Sequence, residues 1–205
     1  MKNKIIASPL NSGVTLSPLA LINREQESEK LYQNLTHGIN IALISQRKLS
    51  KPNLVEKVTI EIQEKEEGFK IAVVDLFSVS TEEEFFEIFA KEIIKASSNN
   101  GEESLTDFPI IDPAEIKRHQ DEILNIPEKI AQRKNIKFIV CLNEFQNLTS
   151  FPEYESLEKK MRAVWQRQKK VNYCFYGSNR HLMTDIFNNP SKPFYRFGDI
   201  MLLSK

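Results

Sequence analysis

Between residues 42 and 58 the sequence reads ALISQRKLSKPNLVEKV. A short apolar run leads into a polar, basic stretch, then Lys51, then a helical pattern of Leu54, Val55 and Val58. A helix start presents backbone N–H groups, and Arg47, Lys48 and Lys51 add positive charge beside it. The chemistry this arrangement offers is anion, and specifically phosphate, binding. A loop that curls around phosphates ordinarily uses glycine, where no Cβ obstructs the backbone. Here Ser45 and Ser50 stand at the glycine spacings of G-x-x-x-x-G-K-[ST], and Pro52 follows the lysine with neither a hydroxyl nor an N–H. A second cluster ends the run KFIVCLNEFQ: Asn143, Glu144 and Gln146. They stand at the C-terminal tip of a buried strand, the end where ligands bind in open α/β sheets. On spacing alone, Lys51 also reads as a surface lysine, and Glu144 as a capping or solvated carboxylate.

The elements that must position these groups are legible as a pattern. Nearly all-apolar runs at 40–45, 70–77, 137–143, 171–177 and 199–204 suit parallel strands buried on both faces. Between them lie helical patterns. Asn23 is a candidate cap for a helix carrying Leu31 and Leu35, and Gly38 ends it. Pro52 sits in the first turn of the next helix. Ser80 or Thr81 caps a helix whose Phe85, Phe86, Phe89 and Ile93 form a core stripe. Residues 99–111 read as a polar loop. A helix from Asp112 and Pro113 places Ile116, Ile123 and Ile130 at heptad spacing and is expected to break at Pro127. Two further helices are expected at about 153–169 and over HLMTDIF. Strands alternating with helices predict a mainly parallel five-stranded sheet covered on both faces.

Composition narrows the classes of function. The chain has 205 residues and equal numbers of acidic and basic side chains, so no global field draws nucleic acid or an anionic membrane. No apolar stretch approaches the roughly 20 residues of a membrane span, and the N-terminus lacks the apolar core of a signal peptide. Cys141 and Cys174 lie in strand-like runs and read as buried, reduced thiols of a cytoplasmic protein. The three histidines show no metal-ligand spacing with them. The segment EKKMRAVWQRQKK (158–170) is rich in Lys and Arg and carries Trp165. It leaves a nucleic-acid module as a minor alternative, against which the neutral total charge argues.

Five segments in order carry a resemblance: INREQESEKL (22–31), SQRKLSK (45–51), IVCLNEFQNL (139–148), GSNRHLM (177–183) and PFYRFGDIMLL (193–203). Together they resemble the prokaryotic ATPases of the AAA+/STAND P-loop superfamily, from about residue 19 to 203. The resemblance implies a three-layer α/β/α P-loop NTPase domain over 23–205, after an extended segment 1–22. The fourth strand would lie between the first and the third. It implies ATP as ligand, with contacts from Ser45, Gln46, Arg47, Lys48, Ser50, Lys51 and Asn53. Arg24 would lie toward the adenine, Asn143 and Ser178 at strand tips, and Glu144 would be the catalytic base. The chain departs from the pattern on the magnesium side. Pro52 replaces the hydroxyl and Asn143 the Walker B aspartate, so no metal ligand is assigned and Mg²⁺ is expected to contribute little. The family's helical lid would follow the fifth strand, so it is expected either to be missing or to lie in a longer chain cut before it. The implied activity is therefore ATP binding with weak or lost hydrolysis, with a protein partner or a further C-terminal domain. The alternative is a pseudo-ATPase interaction module that binds no nucleotide.

Overall fold

All five apolar runs become strands: β1 (Ile41–Ser45), β2 (Phe69–Asp75), β3 (Lys137–Asn143), β4 (Val171–Gly177) and β5 (Asp199–Leu203). The computed structural model describes residues 24–45, 51–98 and 113–203. The expected N-terminal segment 1–22 and the loop 99–111 lie outside those residues, as do Asn23 and residues 46–50. The strands form one sheet in the order β2-β3-β4-β1-β5, every neighbouring pair parallel. The fourth strand thus lies between the first and third, as expected.

Even in the all-apolar strands the pleat sorts side chains by parity. Phe138, Val140 and Leu142 of β3 join Tyr173 and Phe175 of β4 in one core layer. Ile139, Cys141, Cys174 and Tyr176 join the other. Two helices, α1 (Glu25–Thr36) and α2 (Lys51–Lys65), cover the second layer with Leu31, Leu35, Leu54, Val55, Val58 and Ile62. The first layer is covered by α3 (Glu82–Ser97) and the helices that follow it. Cys141 and Cys174 are free and fully buried, and the Phe85, Phe86 and Phe89 stripe is core.

Local chemistry explains most helix ends. Thr81 accepts from the Glu84 N–H, and the Glu84 carboxylate accepts from the Ser80 N–H, closing a capping box at the start of α3. Two expectations need correction. Arg24, not Asn23, occupies the cap position of α1 and makes no side-chain cap bond. The helix expected from Asp112 is three short ones: α4 (Pro113–Arg118), α5 (Gln120–Leu124) and α6 (Ile126–Lys134). The breaks fall at His119 and Asn125. Pro127 causes no break because it sits in the first turn of α6, where its missing N–H has no helical partner to lose.

α7 (Tyr154–Trp165) and α8 (Arg180–Asn188) flank the last two strands. Trp165 is buried and stacks on Tyr173 with ring centroids 4.4 Å apart, so it belongs to the core rather than to a basic surface. Asn40 ties the approach to β5 to the sheet. Its Nδ2 donates to the Phe197 carbonyl, its Oδ1 accepts from the Tyr173 N–H, and its own carbonyl accepts from the Asp199 N–H. A Cβ at Gly198 would come within 2.3 Å of that carbonyl, so only glycine fits there.

One carboxyl works against this core. Glu158 of α7 is 1% exposed, and its Oε1 lacks a hydrogen-bond partner. Burial pushes its carboxyl up to about 7, against the opposing pull of Lys192. A raised carboxyl binds its proton more tightly folded than unfolded, so its contribution to stability is complete below its ordinary value of 4.5 and is lost as pH rises toward 7. Glu158→Gln should therefore raise the urea midpoint relative to the parent chain at pH 8 and change it little near pH 4.5. A parallel offset at both pH values would contradict this assignment.

Candidate functional site

The C-terminal ends of the parallel strands converge at one edge of the sheet, the edge where ligands bind in open α/β sheets. At the end of β3 the chain turns through Glu144, whose backbone is left-handed (φ 53°, ψ 39°), into a 3-10 turn over Phe145–Ser150. For a residue with a Cβ this conformation costs on the order of 1–3 kcal/mol and persists only when its surroundings hold it. They do so through one oxygen. Glu144 Oε2 accepts from the Ser178 hydroxyl at 2.7 Å, the Ser178 N–H at 3.1 Å and Gln146 Nε2 at 2.6 Å. The carboxylate thereby ties the tip of β3 to the tip of β4. Gln146 is 4% exposed, and its Oε1 would lie 1.7 Å from a Cβ at position 177, which accounts for Gly177 at the end of β4.

The neighbouring strand completes the polar edge. Asp75 ends β2 in register with Asn143. Asn143 Nδ2 donates to Asp75 Oδ1 at 3.0 Å, while Asn143 Oδ1 is buried without a partner. Asp75 Oδ1 also accepts from the Phe77 N–H at 3.1 Å. Asn147 Nδ2 donates to the carbonyls of Leu76 and Phe77. The β2–α3 connection is thus fastened to the turn after β3, with Phe77 75% exposed at its crest.

The residues singled out in the sequence fall as follows. Lys51 opens α2 directly after the segment that follows β1, so its backbone and Glu144 share the same edge. Ser45 is the last residue of β1, buried and in register with Leu203. Asn53 lies in the first turn of α2. Gln46, Arg47, Lys48 and Ser50 lie outside the described residues. α1 ends near the start of β4, where Asn172 Nδ2 donates to the Leu35 carbonyl. Arg24, at the opposite end of α1, is therefore directed toward the candidate edge, and it pairs with Glu27 at 3.8 Å. Ser178 touches Glu144, whereas Asn179 caps α8 by accepting from the Leu182 N–H.

Three participants were not anticipated in these roles: Asp75, Asn147 and Gln146. Asp75 had a usable signal, since an aspartate inside an otherwise apolar run marks a strand tip as Asn143 does. A Walker-type magnesium centre fits these side chains poorly. Position 52 has no oxygen on its side chain, and the amide at 143 spends its NH₂ on the nearest carboxylate. Among the described residues no three His, Cys, Asp or Glu side chains cluster to hold a metal.

No protein-family model matches the sequence, and no curated protein matches it. Solved structures do share the fold. The Walker-type ATPase of Pyrococcus abyssi superposes with a TM-score of 0.64 at 19% identity, over 88% of this chain and 53% of that one. Cdc6p of Pyrobaculum aerophilum gives 0.61 at 12% identity, over 93% and 47%. The ORC2 protein of Aeropyrum pernix, in ADPNP–ADP complexes, gives 0.59 at 16%, over 92% and 50%. The chain spans about half the length of these neighbours. At these identities the likeness establishes the fold, a P-loop NTPase-like α/β sandwich.

The carboxylate of Glu144 is a structural clamp as well as a candidate base. Glu144→Ala leaves three donors without their acceptor and should cost about 1–3 kcal/mol in urea denaturation. A solvated carboxylate would change stability by less than about 0.5 kcal/mol, and that result would remove the clamp.

Proposed function

We propose that this chain is an ATP-binding domain of the AAA+/STAND kind, folded over residues 23–205, in which hydrolysis is weak or lost. The observation that carries the reading is the shared edge. The start of α2, with Lys51, and the Glu144 tip of β3 lie at the same end of a sheet whose neighbours include a Walker-type ATPase and a structure in complex with ADPNP and ADP. The basic segment before α2 and the helix start would hold phosphates. Ser45, Ser50 and Asn53 would border them, Arg24 would approach the adenine side, and Ser178 would fix Glu144. A cytoplasmic setting and a protein partner or further domain belong to the same proposal.

The expected weakness in turnover has a physical source. Phosphoryl transfer needs charge neutralisation at the transferring group, ordinarily through a metal held by the P-loop hydroxyl and the Walker B carboxylate. Position 52 offers no ligand. At position 143 an amide donates to Asp75, so the adjacent carboxylate is already engaged. Each lost preorganised charge contact costs on the order of 10²–10³ in rate. Two such losses are not strictly additive, yet half their sum brings turnover close to background. The pseudo-ATPase alternative draws on the same residues, since a loop without glycines also weakens phosphate contact.

Calorimetric titration with ATP, with and without Mg²⁺, tests binding. The expected outcome is ATP binding that Lys51→Ala weakens at least about tenfold and that Mg²⁺ strengthens by less than about threefold. No binding under either condition would establish the pseudo-ATPase alternative, and a large Mg²⁺-dependent gain would overturn the account of positions 52 and 143. In a phosphate-release assay the unaltered chain should stay near background, and Ser50→Gly, Pro52→Thr and Asn143→Asp together should raise turnover. Ordinary turnover in the unaltered chain, abolished by Lys51→Ala, would refute the proposal of weak hydrolysis.

A further inference from the structure

The zero net charge of the chain conceals a segregation. Residues 129–137 and 159–170 contain ten Lys and Arg side chains and no Asp or Glu, so the rest of the chain is net −10. The fold brings the two runs together at the end of the sheet opposite Glu144. The Phe138 N–H donates to the Lys170 carbonyl, and Lys170 Nζ donates to Asn135 Oδ1 at 2.7 Å. Lys129, Arg133, Lys137, Arg167 and Lys169 are exposed around this corner. Lys134 is directed elsewhere, onto the Ser97 carbonyl.

Two features make the corner a built surface rather than a scatter of charges. Glu128, 5% exposed, accepts from the N–H groups of Lys169 and Lys170 and from Gln132 Nε2. That fixes the 166–170 turn and presents its side chains outward. Gln168 fastens the same turn to the Leu124 carbonyl and to Asn125 Oδ1. Beside it, Lys129, Arg167 and Lys169 line a cleft of about 490 Å³ together with Asn125, Gln132 and the carboxylates of Asp121, Glu122 and Glu128. Helix-dipole compensation accounts for Arg133 and Lys134 at the end of α6. It does not account for Lys137, Arg167, Lys169 and Lys170, which lie outside the helices.

We propose that this corner docks the phosphate backbone of duplex nucleic acid, through charge and amide donors and without reading bases. Phosphates need only cations and N–H donors. A single strand would call for an exposed aromatic platform. Here Trp165 is buried and Phe69 is half-covered, with Lys137 Nζ 5.2 Å from its ring centre. A membrane or an apolar-anchored peptide would call for exposed hydrophobic side chains. Of the large exposed ones among the described residues, Ile60 lies in α2, Phe77 after β2 and Leu202 in β5, and only Ile39, before β1, is at this end of the sheet. The surface is separate from the nucleotide edge, so the proposal does not depend on ATP binding.

Fluorescence anisotropy with a labelled mixed-sequence DNA duplex of about 20 bp, titrated between about 50 and 200 mM salt, provides the test. Four to five phosphate contacts predict an affinity loss on the order of several hundredfold across that range. Lys129→Glu, Arg167→Glu and Lys169→Glu combined should weaken binding by on the order of 10²-fold at low salt and flatten the salt slope by about 3. Lys30→Glu, on an exposed lysine of α1, should leave both unchanged. Should the triple variant fail to fold, Lys169→Gln alone should reduce the slope by about 1. Absence of salt-dependent binding, or a folded variant that binds as the parent does, would overturn the proposal. Equal displacement by polyglutamate or by anionic vesicles would also overturn it, as would tighter binding of a single strand.

Discussion

A parallel sheet covered on both faces leaves no interior position for charge, and that constraint arranges the molecule. The central strands β3, β4 and β1 are buried along almost their whole length, with side chains divided between two apolar layers. Polar groups that the sheet cannot cover must collect at its two ends or be satisfied within the layers. At one end stand Asp75, Asn143, Glu144 and Ser178, and at the other the basic turns around Lys137 and Lys169. Glu158 shows the cost of the exception. It is a carboxyl inside a layer, and burial holds it partly protonated near neutral pH.

At the Glu144 end, strain and restraint offset each other. A left-handed glutamate is unfavourable by on the order of 1–3 kcal/mol, and three hydrogen bonds to one charged oxygen, each contributing about 1.5–3 kcal/mol in a buried setting and less where water competes, are enough to hold it. The same bonds decide what the carboxylate can do. Oε2 already accepts from Ser178 and Gln146 and holds the two strand tips together, which leaves proton uptake to the other oxygen, Oε1. Asn143 and Asp75 are joined by an amide–carboxylate hydrogen bond in which the Asn143 NH₂ donates and its Oδ1 is left without a partner.

How much of this was readable beforehand depended on whether the cause was local. The strands were legible as short, unbroken apolar runs separated by helical patterns, whereas their order came from the family resemblance. The capping box at Thr81 and Glu84 was legible because it is written in adjacent residues. The division of the helix after Pro113 was not. Proline attracts attention as a breaker, but a proline in a first turn breaks nothing, and the bends at His119 and Asn125 carry no local mark. At the site, Glu144 and Asn143 were found from their place at the end of an apolar run. Asp75 carried the same mark and was passed over because its partner lies 68 positions away in sequence. Gln146 was visible as a residue, but its hold on Glu144 depends on Gly177 admitting its amide, a three-dimensional fact.

At the basic segment, total charge and local charge act on different scales. Net charge governs how a protein behaves at distances beyond the screening length, about 8 Å at physiological ionic strength. A docking surface acts within that distance, where the local sum of charge decides. Trp165 seemed to strengthen the basic helix as a nucleic-acid element, but helical geometry turns it inward onto Tyr173. The surface charge comes instead from residues beyond the helix end, in a turn held by a buried carboxylate. Glu128 Oε2 accepts from the N–H groups of Lys169 and Lys170 and so fixes the positions from which their side chains act. The fold thus gathers Lys137, Arg167 and Lys169 at the end of the sheet opposite Glu144, so a chain neutral in sum carries a local excess of exposed basic side chains there.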